Sequence, residues 1–429
     1  MSVLYSHSLL PITHPEYNVI ETNKRTLMHK WLSVVGIGED GLPGLSQVAY
    51  SLVEKASVLV GGTRHLSMLP ENDRREKLIW SSPIATSVEE IIQRRGKSVC
   101  ILASGDPMCF GIGVTLTRRI PIEEITIIPA PSAFSLACSR LGWALQEVET
   151  LTLAARPISL LHPVIYPGAR LLILSEGRNT PAIVAQTLVD RGFSNSKITV
   201  LEYMGGERER IIEGIAAQWE TSKIASLNTI AVECIADADI LQLPRIAGLP
   251  DIAYHHDGQL TKREVRAITL AALVPIPGQM LWDIGAGCGS ISIEWMRTHP
   301  RCWAIAIEHN YSRLNYIADN AASLGTPHLR IIHGEAPAVL KGLQPPDAIF
   351  LGGGVTAEGI FDTCWQALRI GGRFVANAVT VESEQKLLEW HNKVGGSLTR
   401  IAIQKAQPIG KFLGWKAMVP VTQWVVVKE

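Results

Sequence analysis

From Trp31 onward, short apolar runs rich in β-branched residues alternate with stretches of helical periodicity. LSVVGIG (32–38), SVCILASG (98–105), ITIIPAP (125–131), RLLILSEG (170–177), KITVLEY (197–203) and NTIAVECI (228–235) each predict a strand closing on a small or polar turn. Amphipathic stretches such as Leu45–Ala56 and Pro181–Arg191 lie between them, the pattern of an α/β domain. The alternation pauses at ADADILQLPRIAGLPD (236–251), where two prolines and a glycine break the periodicity and predict a domain linker.

A second alternation starts after residue 260. GQMLWDIGAG (278–287), CWAIAIE (302–308), LRIIHGE (329–335), DAIFLGGG (347–354) and GRFVANAV (372–379) predict five strands with helices between several of them. KAMVPV and QWVVVKE, at the C-terminal end, sit close enough to predict an antiparallel hairpin. The expected architecture is therefore a doubly wound sheet with an added antiparallel edge, preceded by a first α/β domain. The boundaries drawn are a loose extension over 1–29, a first domain over 30–242 and a second over 249–429. No internal repeat and no low-complexity tract interrupts them.

Composition narrows the class. A chain of 429 residues suits two cores better than one, and 47% apolar with 19% charged residues excludes a disordered chain. The 40 basic residues balance 40 acidic ones, which argues against a nucleic-acid binder but not against a local anionic ligand. Seven scattered cysteines without a C-x-x-C pair predict reduced thiols and neither a disulfide framework nor a zinc or iron–sulfur site. No apolar run reaches the roughly 18 residues that span a bilayer. The first residues lack the features of a signal peptide, so a soluble, cytoplasmic protein is expected.

The strongest motif is LWDIGAGCGS. Gly285, Gly287 and Gly289 follow an apolar strand and precede the helical stretch SISIEWM, where glycines permit a tight turn and close approach of a ligand to the helix N-terminus. The next strand ends in Glu308, placed to accept the ribose hydroxyls of a nucleoside. The spacing is G-x-G-x-G, with Asp283 just before it, not the G-x-G-x-x-G of dinucleotide sites, and this speaks against a nicotinamide dehydrogenase. It suits a nucleoside without phosphates, such as S-adenosylmethionine, whose ammonium could meet an acid. A strand–helix turn without ligand would use the same glycines. Gly334-Glu335-Ala336-Pro337 and Gly352-Gly353-Gly354 close two further strands on the same carboxyl edge, where open α/β sheets bind ligands.

Residues 249–429 resemble the small methyltransferase of corrin synthesis that methylates ring carbon 15 and decarboxylates an acetate side chain. GLPDIAYHHDGQLTKREVRAITLAAL, LWDIGAGCGSISIEW, GEAP and RIGGRFVANAV carry the likeness. The first domain resembles the carbon-5 methyltransferases of the tetrapyrrole methylase class through VVGIGEDGLPGLS, VLVGGTRHL, ILASGDPMCFGIG, PAPSAFSLACSRLGW, LSEGRNTPAIVAQTLVDRGF and EYMGGERERI. In this order the two halves resemble the fused, decarboxylating C5,15-methyltransferases of cobalamin biosynthesis.

The resemblance implies a two-lobed tetrapyrrole methylase domain followed by a Rossmann-like class I methyltransferase domain. It implies one S-adenosylmethionine in each, no metal, a carboxylate-rich tetrapyrrole substrate and self-association. Carried over as cofactor-binding are Gly36, Gly38, Gly105, Asp106, Pro107, Ser132 and Ala133 in the first domain. In the second they are Thr261, Asp283, Gly285, Ala286, Gly287, Cys288, Gly289, Glu308, Glu335 and Ala336. Asp106 is equally readable as a helix N-cap. Arg64 and His65 are readable as substrate contacts or as solvated residues. Tyr254, His256, Lys262 and Glu264 are the candidate catalytic residues, because decarboxylation needs a positioned proton donor. Thr261 with Glu264 also reads as a plain capping box. The chain departs from the family at Ala154-Ala155, where a histidine–glycine pair is common, at Glu335, where aspartate is usual, and at Cys288, where threonine is common. The lost polarity at Ala154-Ala155 also admits a non-catalytic carrier that binds tetrapyrrole.

Overall fold

The computed structural model describes residues 30–220 and 223–429, so the expected N-terminal extension lies outside the described residues. Two compact units divide between Ser132 and Ala133.

The first unit is built on a wholly parallel five-stranded sheet: β1 (Leu32–Ile37), β2 (Val58–Gly61), β3 (Glu76–Ile79), β4 (Val99–Ser104) and β5 (Ile125–Ile128), in the order β3-β2-β4-β1-β5. Its three inner strands β2, β4 and β1 are apolar on both faces because both faces are covered, whereas the edge strand β3 is largely exposed. Val34, Val60 and Ile101 pack into one core layer, whereas their neighbours Val35, Leu59 and Leu102 pack into the other.

In the second unit, β6 (Glu149–Thr152), β7 (Arg170–Leu174), β8 (Lys197–Glu202), β9 (Arg210–Ile215) and β10 (Asn228–Glu233) form a mixed sheet in the order β6-β7-β10-β8-β9. A seven-stranded sheet follows. It comprises β11 (Met280–Ile284), β12 (Trp303–Glu308), β13 (Arg330–His333), β14 (Ala348–Leu351), β15 (Arg373–Ala378), β16 (Ser397–Ile401) and β19 (Val421–Val427). Its order is β13-β12-β11-β14-β15-β19-β16, with the first five parallel and β19 antiparallel to both neighbours. The remaining pair, β17 (Gln404–Ile409) and β18 (Phe412–Ala417), forms a separate hairpin.

The predicted hairpin of KAMVPV with QWVVVKE is therefore corrected. The segment ending at Ala417 pairs backwards with β17, and β19 inserts between β15 and β16. Burial supplies the reason: Thr422, Gln423 and Trp424 are all buried, and in the large sheet the helices Arg263–Leu273 and Val381–Val394 cover the two faces of β19.

The expected linker carries neither helix nor strand over 236–250, yet it is packed. Leu249 is fully buried, and Arg297 Nη2 donates to the carbonyls of Leu243 (2.7 Å) and Pro244 (3.2 Å). Arg245 Nε donates to Pro163 O at 3.1 Å. Periodicity marks where regular elements stop; packing does not stop there.

Candidate active site

The loop after β11 is held by three glycines in the left-handed region, with φ of +71° at Gly285, +60° at Gly287 and +81° at Gly289. At Gly285 a Cβ would lie 2.9 Å from the backbone nitrogen of Gly353, because β11 and β14 are adjacent and their loops touch. Any side chain here would force the two loops apart. The helix Ser290–Thr298 starts immediately after Gly289.

This loop borders a cleft of about 400 Å³ at the carboxyl edge of the seven-stranded sheet. Thr261, Asp283, Gly285, Ala286, Gly287, Glu308, Glu335 and Ala336, all expected from the sequence, line it together. Glu308 is buried, and its two oxygens accept from Gly287 N (2.8 Å) and Asn310 N (2.9 Å), which orients the carboxylate at the cleft wall. Asp283 accepts from Ser292 N (3.0 Å) and Ser292 Oγ (2.7 Å) through Oδ2 alone. Its Oδ1 is buried without a partner. Burial pushes the Asp283 carboxyl up to about 6 against the pull of the Ser292 hydrogen bonds, with the Glu308 charge adding to the rise.

Two expected cofactor residues do not line the cleft. Cys288 is buried, which pushes its thiol up to about 11, and its carbonyl accepts from Asn320 Nδ2 at 3.0 Å. Gly289 is packed so closely on Ile317 that a Cβ would sit 2.9 Å from it. Both shape the loop from behind.

The wall opposite the glycine loop is the segment 258–261, and a buried network holds it. Glu294, on the helix Ser290–Thr298, accepts from Gly248 N (2.6 Å), Leu249 N (3.0 Å), Tyr254 Oη (2.9 Å) and Arg266 Nε (2.6 Å). Arg266 donates onward to Asp251 Oδ1 (3.2 Å) and to the carbonyls of Thr261 and Leu249. Asn320 binds both the N–H (2.8 Å) and the carbonyl (2.9 Å) of His255. Arg313, itself in the cleft lining, pairs with Asp257 at 2.8 Å. Sequence reasoning missed Glu294 and Asn320. Their signal was available: each stands at helical spacing from apolar residues, Glu294 from Ile291 and Asn320 from Ile317, and a polar group on such a face is tolerated only when paired.

The candidate catalytic residues are not gathered at the cleft. Tyr254 is corrected: it is buried, stacked under Arg266 at 4.8 Å, and its hydroxyl donates to Glu294. Burial, with the Glu294 charge beside it, pushes its hydroxyl well above the ordinary tyrosine range, so it holds structure and not a transferable proton. His256 uses Nδ1 to accept from Gly258 N at 3.0 Å, bracing the turn that leads into the cleft wall. The helix begins at Arg263, whose N–H donates to Asp251 Oδ1 at 3.0 Å, and Lys262 before it supplies no side-chain cap, so the capping box from Thr261 is not formed. Glu264 instead pairs with Lys405 of β17 at 2.8 Å.

In the first unit the expected residues share the carboxyl edge of its sheet. A Cβ on Gly36 would fall 2.0 Å from Gly105 O and 2.5 Å from Ala130 N, so the end of β1 packs backbone to backbone against the loops after β4 and β5. Gly38 lies against the Asp40 side chain, whose Oδ1 would be 2.5 Å from a Cβ there. Asp106 accepts from Met108 N at 2.8 Å and closes a turn at Pro107; the next helix starts only at Ile112, so Asp106 is not its N-cap. The Ser132 side chain bonds the Cys109 thiol, and Ala133 opens the helix Ala133–Leu141 of the other unit. His65 is buried and Arg64 is paired with Glu39, so neither is merely solvated.

A bare glycine backbone, a carboxylate presented by two amides and a second buried acid with one free oxygen fit a ligand carrying a ribose diol at one end and an ammonium at the other. S-adenosylmethionine has that chemistry. Fold and site together define a class I methyltransferase domain, here joined to a second α/β domain of different topology.

Comparison with known proteins agrees. The model of the tetrapyrrole (corrin/porphyrin) methylases matches residues 32–219, and that of the precorrin methyltransferase domain matches residues 252–428. The chain is 48% identical over 405 residues to the precorrin-6Y C(5,15)-methyltransferase [decarboxylating] of a Sinorhizobium species, covering 94% of this chain and 98% of that one. It is 40% identical over 400 residues to the protein of that name from Mycobacterium tuberculosis H37Rv, covering 92% and 99%. The crystal structure of the C-terminal domain of precorrin-6Y C5,15-methyltransferase from Rhodobacter capsulatus is 44% identical and covers 43% of this chain and 100% of that chain, with a TM-score of 0.42. The chain belongs to the precorrin-6Y C5,15-methyltransferase (decarboxylating) family.

Proposed function

We propose that this chain methylates carbons 5 and 15 of a carboxylate-rich precorrin in cobalamin biosynthesis and removes one acetate carboxyl as carbon dioxide. Residues 249–429 perform the carbon-15 methylation and the decarboxylation, and residues 30–242 the carbon-5 methylation, each with its own S-adenosylmethionine. The cofactor, when bound, supplies an activated methyl group on sulfur. The chain's task is to align the acceptor carbon with it at about 3 Å.

The observation that carries the reading is the free, buried Oδ1 of Asp283 in the wall that also presents Glu308. In this reading Glu308 takes the ribose hydroxyls and Asp283 the ammonium. Thr261 closes the cleft from the segment held by Arg266. His256 and Lys262 flank that segment and are the groups proposed to meet substrate carboxylates or deliver the proton. Among the described residues no group of three or more histidine, cysteine, aspartate or glutamate side chains is arranged to hold a metal. The proposed chemistry calls for none. Unbridged cysteines and the absence of a helix long and apolar enough to cross a membrane, among the described residues, are consistent with the cytoplasmic location we propose.

Self-association belongs to the same reading. The hairpin β17–β18 exposes Ile409, Phe412, Leu413 and Trp415, each at 66–80%. A lone two-stranded hairpin is marginal in water and gains from further strands, which the same hairpin of a second copy supplies.

The test is titration calorimetry with S-adenosylmethionine. The intact chain should bind two equivalents, and Glu308→Gln should weaken one site by about 1–3 kcal/mol, the value of a buried charge-assisted hydrogen bond. Carbon-5 methylation should persist in that variant. A single site in the intact chain would overturn the assignment of one cofactor to each domain.

A further inference from the structure

Three polar side chains close a triangle on one face of the seven-stranded sheet. Asn377 of β15 and Gln423 of β19 stand directly opposite each other, and Thr269 meets both from the helix Arg263–Leu273. Asn377 Nδ2 donates to Thr269 Oγ1 at 3.0 Å. Gln423 Nε2 donates to Thr269 Oγ1 at 3.2 Å and to Asn377 Oδ1 at 3.0 Å. Thr269 and Gln423 are 0% and 3% exposed, whereas Asn377 is only half-buried.

Chemistry fixes the two amide orientations. Turning both over would ask Thr269, with one hydroxyl hydrogen, to donate to two oxygens; turning one alone would set like atoms against each other. Asn377 Oδ1 therefore already accepts from Gln423, and one Nδ2 hydrogen of Asn377 has no partner among the described residues. The sheet places that group beside the cofactor cleft. Val375 shares a core layer with Phe350, its partner on β14, so Asn377, two residues on, faces the same way. It lies one residue past the pair Leu351–Ala376, level with Gly352 and one strand, about 4.8 Å, across. Phe350 and Gly352 both line the cleft. No charged group takes part in the triangle's bonds.

We propose that Asn377, through this N–H, holds the acetate carboxylate that the substrate loses as carbon dioxide, with Thr269 and Gln423 as the residues that position it. The proposal rests on the assignment of decarboxylation to residues 249–429. In that step the bond between the methylene carbon and the carboxyl carbon breaks, and its electron pair passes into the conjugated ring. Neutral carbon dioxide leaves, and the methylene carbon takes up one proton, the delivery proposed above for His256 or Lys262. The breaking bond must stand out of the ring plane to overlap with the ring's electrons, so the carboxylate needs a fixed donor. A neutral donor suits it. The carboxylate loses its charge on the way to the transition state, and a cation there would hold the starting state harder than the transition state.

Single-turnover reactions of the full chain test this, with substrate radiolabelled in that carboxyl and S-adenosylmethionine radiolabelled in its methyl group, so that the two steps are read separately. Asn377→Leu, of similar size and without a donor, should slow carbon dioxide release about 10–100-fold, the worth of one hydrogen bond to a charged group. Methyl transfer to carbon 15 and S-adenosylmethionine affinity at the second site should stay within about threefold, since the bond lost is made to the departing carboxylate alone. Thr269→Val should slow release in the same direction by less. Asn377→Asp keeps the shape and sets a negative charge beside the carboxylate. Relative to the wild type it should release carbon dioxide slowly at pH 8 and recover toward pH 5, where the added carboxyl takes a proton and can donate again. Unchanged release in Asn377→Leu, equal slowing of both steps, or a pH-independent defect in Asn377→Asp would each overturn the proposal. A wild-type chain that methylates carbon 15 and releases no carbon dioxide would overturn the reading beneath it.

Discussion

Glu294→Gln should be the most damaging single change in the second unit that touches no ligand. The Glu294 and Arg266 side chains are 1% and 0% exposed and meet at 2.6 Å. The carboxylate also receives two backbone N–H groups and the Tyr254 hydroxyl. An amide keeps the shape but removes the charge, leaves the guanidinium with Asp251 at 3.2 Å as its remaining carboxylate partner and points an N–H₂ at groups that are themselves donors. Removing one partner of a buried pair costs about 3–5 kcal/mol, a third or more of a typical domain's stability. Urea denaturation followed by tryptophan fluorescence should register it, since Trp282, Trp295 and Trp424 are fully buried in this unit. Cofactor affinity at the second site should fall too, because the wall at Thr261 hangs from Arg266. A loss below about 1 kcal/mol for Glu294→Gln would refute the clamp.

Asp283 should couple cofactor binding to pH. Its folded value, about 6, stands above that of the unfolded chain, so the ionised form opposes folding above pH 6 and the opposition disappears as pH falls through 6 toward 4. Asp283→Asn should therefore stabilise the protein at pH 7.5, by up to about 3 kcal/mol, while calorimetry finds the second site weakened. In the wild type, binding of a ligand ammonium should tighten from pH 5 to pH 7. Ala155, at φ +54°, stands where the family's glycine is common; Ala155→Gly should raise stability by about 0.5–1 kcal/mol in thermal melts. A fragment starting at residue 246 loses the Leu243 and Pro244 carbonyls that receive Arg297, whose Nε already lacks a partner. It should melt lower than one starting at 239, by about 1–3 kcal/mol.

The α/β alternation, the glycine turn and its acids are legible in the chain alone. These are local: an apolar run, a glycine that must take positive φ and an acid at a strand end are each set by a few neighbouring residues. Asp283, Glu308 and the three glycines therefore stand where spacing put them. Whatever depends on distant partners came from packing. The strand at 421–427 left its sequence neighbour for the large sheet, where two helices cover its faces. Tyr254 reads as a proton donor until Glu294, forty residues on, claims its hydroxyl. The packed linker, and Asn377 bonded to both Thr269 and Gln423, likewise exist only once non-adjacent strands are side by side. Side-chain chemistry is written in the chain, but which groups share a low-dielectric pocket is settled by packing, and packing sets their charge and their partners.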